Sequence, residues 1–254
     1  MNPGEPILSV RDIEVHFVRA DGTPVLALDS VSLDVSPGEF VCILGRSGHG
    51  KTTLLNVVAG LLSAQRGEVR VMHLPVSGPG TDRGVIFQQD AVFPWMRVLD
   101  NVAFGLRVRN VSRQERLRIA REHLALVGLS SVARAWPREL SGGMRARVAI
   151  AAVFANDPPI LLADEPFGAL DYVTRRQVQA VLRDLWRRTG KTVLFVTHDV
   201  DEAMMLGTRV IVVSNGRIVE DRAIELPMPR SDDDVATPAG LALKHLLLHH
   251  MGLE

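Results

Sequence analysis

The stretch Gly45-Arg46-Ser47-Gly48-His49-Gly50-Lys51-Thr52 constrains this chain more than any other. It fits G-x-x-x-x-G-K-[ST], in which glycines let successive backbone N–H groups converge on phosphate oxygens. The residues before it, Phe40 to Leu44, form a short apolar run. Those after it, Lys51 to Leu62, place Leu54, Leu55, Val58, Leu61 and Leu62 at helical spacing. Strand, glycine loop and helix in that order set the loop at a helix N-terminus, whose dipole attracts anions. Lys51 is then placed to reach the β and γ phosphates and Thr52 to ligate Mg²⁺.

The rest of the chain supplies the frame such a loop needs. Residues 7 to 18 and 31 to 35 read as strands around an Asp21-Gly22 turn, a curled antiparallel edge. Gly67 to Val71 reads as another strand, followed by a Pro/Gly-rich loop from Pro75 to Gly80. From about 95 to 156 the pattern turns helical; Ser112 with Glu115 predicts a capping box, and Leu117, Ala120, Leu124 and Val127 share one face. Strands return at Ile160 to Ala163, Val193 to Thr197 and Val210 to Val213, with helical segments between the first two and after the second, which predicts a mostly parallel sheet. Asn215-Gly216 is a hairpin signal. Beyond about 225 come prolines, the acidic run Asp232 to Asp234, read as a solvated linker, and an apolar terminal helix. His245, His249 and His250 lack the surrounding ligands of a metal site.

Composition narrows the partners. With 29 basic and 29 acidic residues the formal net charge is zero, so no global basic field draws the chain to nucleic acid. The single cysteine, Cys42, excludes an intrachain disulfide and, inside an apolar strand, reads as a small core residue. The first residues lack the basic and apolar segments of a secretory signal. No apolar run reaches the length of a membrane-spanning helix. If the protein works at a membrane, other chains supply the spanning helices.

A phosphate cradle alone does not specify hydrolysis. Ile160-Leu161-Leu162-Ala163-Asp164-Glu165 adds a second site. Asp164, at the carboxyl end of a buried strand, is placed to hold Mg²⁺, directly or through water. Glu165 can accept a hydrogen bond from an attacking water as general base. Leu140-Ser141-Gly142-Gly143-Met144 precedes a helical run and offers a further anion site at a helix start.

In this order the motifs resemble the ABC ATPase family over nearly the whole chain. The Walker A loop is residues 45 to 52, the Q-loop glutamine Gln88, the signature loop 140 to 144, Walker B 160 to 165, the D-loop Ala169-Leu170-Asp171 and the switch histidine His198. The resemblance implies an α/β fold: a P-loop NTPase core with a mostly parallel sheet, an antiparallel N-terminal β subdomain and an inserted helical subdomain. The whole is expected as one ABC ATPase domain, with about 7–90 and 157–225 as nucleotide-binding core, about 91–156 as helical subdomain and about 226–254 as tail.

It further implies a head-to-tail dimer in which Ser141, Gly142 and Gly143 of one subunit meet ATP held by the other subunit's Gly45, Arg46, Ser47, Gly48, His49, Gly50, Lys51, Thr52 and Thr53. Asp171 joins that interface. Thr52, Gln88 and Asp164 would hold Mg²⁺, with Gln88 linking that site to the subdomain touching the membrane partner. Glu165, His198, Gln88 and Lys51 carry the chemistry, and Phe17 matches the aromatic that stacks on adenine. Phe93-Pro94-Trp95 with Val98-Leu99-Asp100-Asn101-Val102 is similar to importer ATPases of the nitrate, sulfonate and taurine group. His49 stands where relatives often carry Cys, Met144 where the signature usually has Gln, and Ala152 where many have Arg.

The expected function is therefore hydrolysis of MgATP at the cytoplasmic face of a membrane, as a peripheral subunit of an importer. Its partners would be integral permease subunits and an extracytoplasmic solute-binding protein. An exporter subunit is the nearest alternative, since the permease sets direction. A soluble ABC ATPase acting on nucleic acid is further off, because the chain has one cassette and no evident basic patch.

Overall fold

The computed structural model describes residues 5–18, 21–88 and 92–253. The chain divides into two compact units, Met1–Gly80 with Thr192–Glu254, and Thr81–Lys191.

The first unit holds two sheets. Strands β1 (Leu8–Val18), β2 (Pro24–Val35), β4 (Arg66–Val71) and β5 (Leu74–Pro75) form an antiparallel sheet in the order β2-β1-β4-β5. β2 begins seven residues before the expected 31. Its outer half pairs Phe17 with Val25 and His16 with Leu26 across register shifts, with Ser30 at φ 50, and these breaks hide the period of two from a sequence reading.

Strands β3 (Phe40–Leu44), β8 (Thr192–Thr197) and β9 (Arg209–Ser214) run parallel, β3 between the other two. All five β3 residues and all six of β8 are buried, and the Phe40 and Phe195 rings pack 5.8 Å apart. Cys42 is among them, and burial pushes its thiol well above the usual range. β10 (Arg217–Ala223) returns antiparallel beside β9, through Asn215 (φ 48) and Gly216 (φ 78), the two left-handed positions of a type I′ hairpin.

Helix α1 (Lys51–Ala59) stops three residues short of Leu62. Gly60, at φ 75, donates to Asn56 and Val57 oxygens, and a Cβ there would lie 2.2 Å from the Gly78 carbonyl oxygen, so the turn that ends the helix accepts glycine alone. After β8, α6 (Val200–Leu206) leads into β9. The acidic run Asp232 to Asp234, expected as a solvated linker, is instead the first turn of a short helix, α7 (Asp232–Val235). Ser231 and Asp234 close a reciprocal cap there, and three carboxylates sit at the positive end of the dipole. Helix α8 (Pro238–His250) follows.

In the second unit β6 (Arg83–Ile86) and β7 (Ile160–Asp164) pair in parallel. Helices α2 (Val98–Val108), α3 (Arg113–Leu126) and α4 (Gly142–Ala155) pack on one another, and α4 also packs on α5 (Tyr172–Thr189). Ala120, Leu124 and Val127 are buried as the 3.6-residue period requires. The predicted capping box forms by half: the Ser112 hydroxyl accepts the Glu115 N–H at 3.3 Å, while the Glu115 carboxylate turns to Arg118. A charged partner one turn along outcompetes the backbone amide. No helix among the described residues is long and apolar enough to cross a membrane.

Candidate active site

The parallel pairing of β3 with β8 matches Leu44 to Thr197, so the glycine loop and His198 leave the first unit's sheet from neighbouring strand ends. Gly45 (φ 156), Gly48 (φ 82) and Gly50 (φ 101) bend the loop. A Cβ on Gly45 would lie 2.3 Å from the Val213 carbonyl oxygen, and one on Gly50 2.4 Å from that of Ala27. Both positions therefore need glycine for space as well as for φ. Gly50 caps α1 without a side chain, which leaves the helix N-terminus uncovered by any residue of its own cap.

Lys51 is 4% exposed, and its ammonium donates to the Arg46 carbonyl at 3.1 Å, folded back into the loop. Arg46, Ser47 and Thr52 are exposed and His49 and Thr53 half-buried. The loop thus sets a buried cation beside a helix dipole, which fits a polyphosphate. A contact that the sequence reading missed secures it. The Gly216 N–H donates to the His49 carbonyl at 3.1 Å, while its own carbonyl accepts from the Asp29 N–H at 2.9 Å. The hairpin signal at Asn215-Gly216 marked the turn but not its task as a brace for the phosphate loop.

Phe17, near the end of β1, is 42% exposed. It is not one of the core aromatics that a strand position ordinarily implies, and its ring has a free face. His198 is exposed too, directly after the buried β8.

In the second unit Ile86 pairs with Ala163, which sets Gln88 and Asp164-Glu165 at adjacent strand ends. Glu165 holds φ 41, a left-handed conformation that a glutamate adopts only under constraint, and its carbonyl accepts the Gly168 N–H at 3.2 Å. The strained residue is the one assigned as base. The turn comes back to Gln88: a Cβ on Gly168 would lie 3.8 Å from Gln88 Nε2. The oxygen donors of Asp164 and Gln88, at these adjacent strand ends, suit a hard cation such as Mg²⁺.

Ser141 is the N-cap of α4 and accepts the Met144 N–H at 3.3 Å; Asp171 is the N-cap of α5 and accepts the Thr174 N–H at 3.0 Å. The second bond holds the Asp171 carboxyl below its ordinary pKa. The two helix starts touch, since a Cβ on Gly143 would lie 2.2 Å from Thr174 Cγ2. Signature loop and D-loop therefore form one packed surface, which puts Ser141, Gly142 and Asp171 together.

Sequence reasoning quoted Asn101 but gave it no role. It is buried, and its amide donates to the Phe93, Met96 and Arg97 carbonyls at 3.0–3.1 Å while accepting the Phe93 N–H at 2.6 Å. One side chain thus shapes the whole Phe93 to Arg97 loop and presents Trp95, 68% exposed. Beside it lies a cavity of about 460 Å³, lined among others by Phe87, Phe93, Phe104, Val108 and Ala152. Ala152 contributes no bulk where an arginine would fill the space.

Residues 28–168 match the family model described as ABC transporter. The chain is 50% identical over 215 residues to the taurine import ATP-binding protein of Rhizobium johnstonii, covering 84% of this chain and 82% of that protein. It is 46% identical over 222 residues to the nitrate import ATP-binding protein of Synechocystis, covering 87% and 83%. A solved ATP-binding cassette, dimeric in a post-hydrolysis state with ADP and Pi, superposes with a TM-score of 0.76 at 33% identity, over 86% of this chain and 99% of that one. A family model matched over more than half of the chain and relatives about 50% identical over most of it show that the protein belongs to the ABC transporter family as one of its ATP-binding cassette ATPases.

Proposed function

We propose that this ATPase is the energy-coupling subunit of an importer for a small solute of the nitrate, sulfonate or taurine kind. The observation that carries the reading is the Asn101-built Phe93-Trp95 loop beside an apolar cavity, on a chain 46% to 50% identical to nitrate and taurine import subunits. A loop that exposes a tryptophan and sets Phe93 against an apolar hollow is a docking surface. Its occupant is a cytoplasmic segment of an integral permease, which places this chain at the cytoplasmic face of the membrane. A solute-binding protein outside the membrane completes the system.

Two copies assemble head to tail, a reading supported by the dimeric state of a cassette that resembles this chain. The loop Gly45 to Thr53 holds the ATP phosphates, with Lys51 supplying positive charge, and Phe17 stacks on the base. Ser141, Gly142 and Gly143 of the second copy close on the γ-phosphate, with Asp171 at the same interface. Thr52, Asp164 and Gln88 would hold Mg²⁺, which supplies charge neutralisation on the phosphate oxygens. Glu165 accepts a proton from the attacking water, His198 holds the γ-phosphate and that water, and Gln88 passes the state of the site to the docking surface. The functional division of the chain follows the core of 7–90 and 157–225, with 91–156 as the helical insert and 226–254 as the tail.

Affinity purification of the tagged chain from solubilised membranes tests the reading. A polytopic membrane protein is expected with the wild type and lost with Trp95→Ala. Recovery of nucleic acid in place of a membrane protein would overturn it.

A further inference from the structure

His198 needs a fixed direction if it is to hold a phosphate and a water, and the chain around it is tied in a way that the motif does not specify. Thr197, the last residue of β8, is 2% exposed, and its hydroxyl donates to Glu202 Oε2 at 2.5 Å. The same hydroxyl oxygen accepts the Asp199 N–H at 3.0 Å. Asp199 Oδ1 in turn accepts the Glu202 N–H at 3.1 Å as N-cap of α6. These three bonds form a closed ring through residues 197, 199 and 202. His198, exposed, is the residue between the two that the second link joins.

Glu202 is 6% exposed on a helix that also buries Ala203, Met204, Met205 and Leu206, while its neighbour Asp201 is exposed. A carboxylate there carries a desolvation cost that an aliphatic residue would avoid, so α6 packing alone gives no reason for it. Helix capping gives none either, because Asp199 already caps. The ring has a second anchor: Thr197 is register partner of Leu44, the residue before Gly45. At the far end of α6, Arg230 donates to the Met204 and Gly207 carbonyls and fixes the helix against the sheet.

We propose that Glu202, acting through the Thr197 hydroxyl, is a positioning residue that sets the orientation of His198 towards the phosphate loop. The proposal rests on the assignment of His198 to the γ-phosphate. Charge-assisted acceptance holds the hydroxyl in one rotamer, the hydroxyl oxygen holds the Asp199 amide, and the peptide between 197 and 199 is left with one conformation.

A double-mutant cycle on ATP hydrolysis by the full chain tests it. Thr197→Val keeps the shape and strand preference and removes both bonds. It is expected to lower kcat about tenfold with KM for ATP nearly unchanged, as loss of a supporting hydrogen bond does. Thr197→Ser restores most of the rate, and Glu202→Leu, a second route to the same break, matches Thr197→Val. In a His198→Ala background Thr197→Val is expected to cost nothing further, since there is no imidazole to orient. The same fold-loss in that background, or wild-type kcat in Thr197→Val and Glu202→Leu, would overturn the proposal. Wild-type turnover in His198→Ala alone would remove the assignment of His198 and this proposal with it, while leaving the ring as a cap of α6.

Discussion

Leu44 and Thr197 are register partners at the ends of parallel strands. Neighbouring strands lie about 4.8 Å apart, so the residues that follow, Gly45 and His198, start from adjacent points although 153 positions separate them in sequence. The same relation recurs in the second unit, where Ile86 and Ala163 bring Gln88 beside Asp164 and Glu165. Parallel pairing is what converts dispersed motifs into sites, because ligands collect at the carboxyl ends of such strands.

Glu165 sits at φ 41 after a buried strand, an arrangement that orients its carboxylate at the cost of local strain. Glu165→Gln keeps size and hydrogen bonding but removes the base. Steady-state ATP turnover should fall by about 10²-fold or more, as loss of general base catalysis predicts, with ATP binding retained in a filter or fluorescence assay. Wild-type turnover in this variant would withdraw the assignment.

Phe17 is exposed on the antiparallel sheet. Phe17→Ala should weaken ATP binding by about 1 kcal/mol, roughly fivefold in Kd, as one lost stacking contact implies. The unfolding midpoint should hardly move, since the ring is not in the core. A fall in stability without any change in Kd would mark the residue as packing only.

Gly50 combines φ 101 with a Cβ position 2.4 Å from the Ala27 carbonyl oxygen. Gly50→Ala should cost about 1–3 kcal/mol of stability from the backbone strain alone, read from urea unfolding, and more if the loop cannot shift. Gly48→Ala also pays for positive φ, but it meets nothing within 4 Å and should cost less.

The Asp171 carboxylate accepts the Thr174 N–H, and its pKa lies below the ordinary 3.8. A folded-state pKa lower than the unfolded one means the ionised cap is the stabilising form. Its contribution is complete above the unfolded value and fades as pH falls through the folded one. Asparagine caps without titrating, so the stability difference between wild type and Asp171→Asn should be flat from about pH 5 to 8 and should shift in favour of the variant below about pH 4. A difference that stays flat through pH 3 would show the cap to be unimportant.

The glycine loop, the acidic strand end and the helical insert were legible because each rests on local chemistry: positive φ, a buried apolar run, a 3.6-residue period. What stayed hidden depends on distant partners. Gly216 bracing His49, Asn101 gathering the Phe93 to Arg97 carbonyls and Glu202 holding Thr197 are bonds whose members carry no mark of each other. Local rules also misplaced ends. The leucines at 61 and 62 continue the α1 period, yet Gly60 has already turned the chain, and Ser231 makes a helix of an acidic run that reads as solvated. Asp171 and Ser141 carry motifs that are legible, while their capping and the contact between their helices, set by the missing side chain of Gly143, are not.

The central claim is that hydrolysis needs two copies of this chain, and it is tested most directly by ATP turnover of the purified protein against its own concentration. The account predicts a superlinear rise that saturates as dimers fill, abolished by Glu165→Gln. A strictly proportional rate far below any dimerisation constant, with that variant still active, would contradict it.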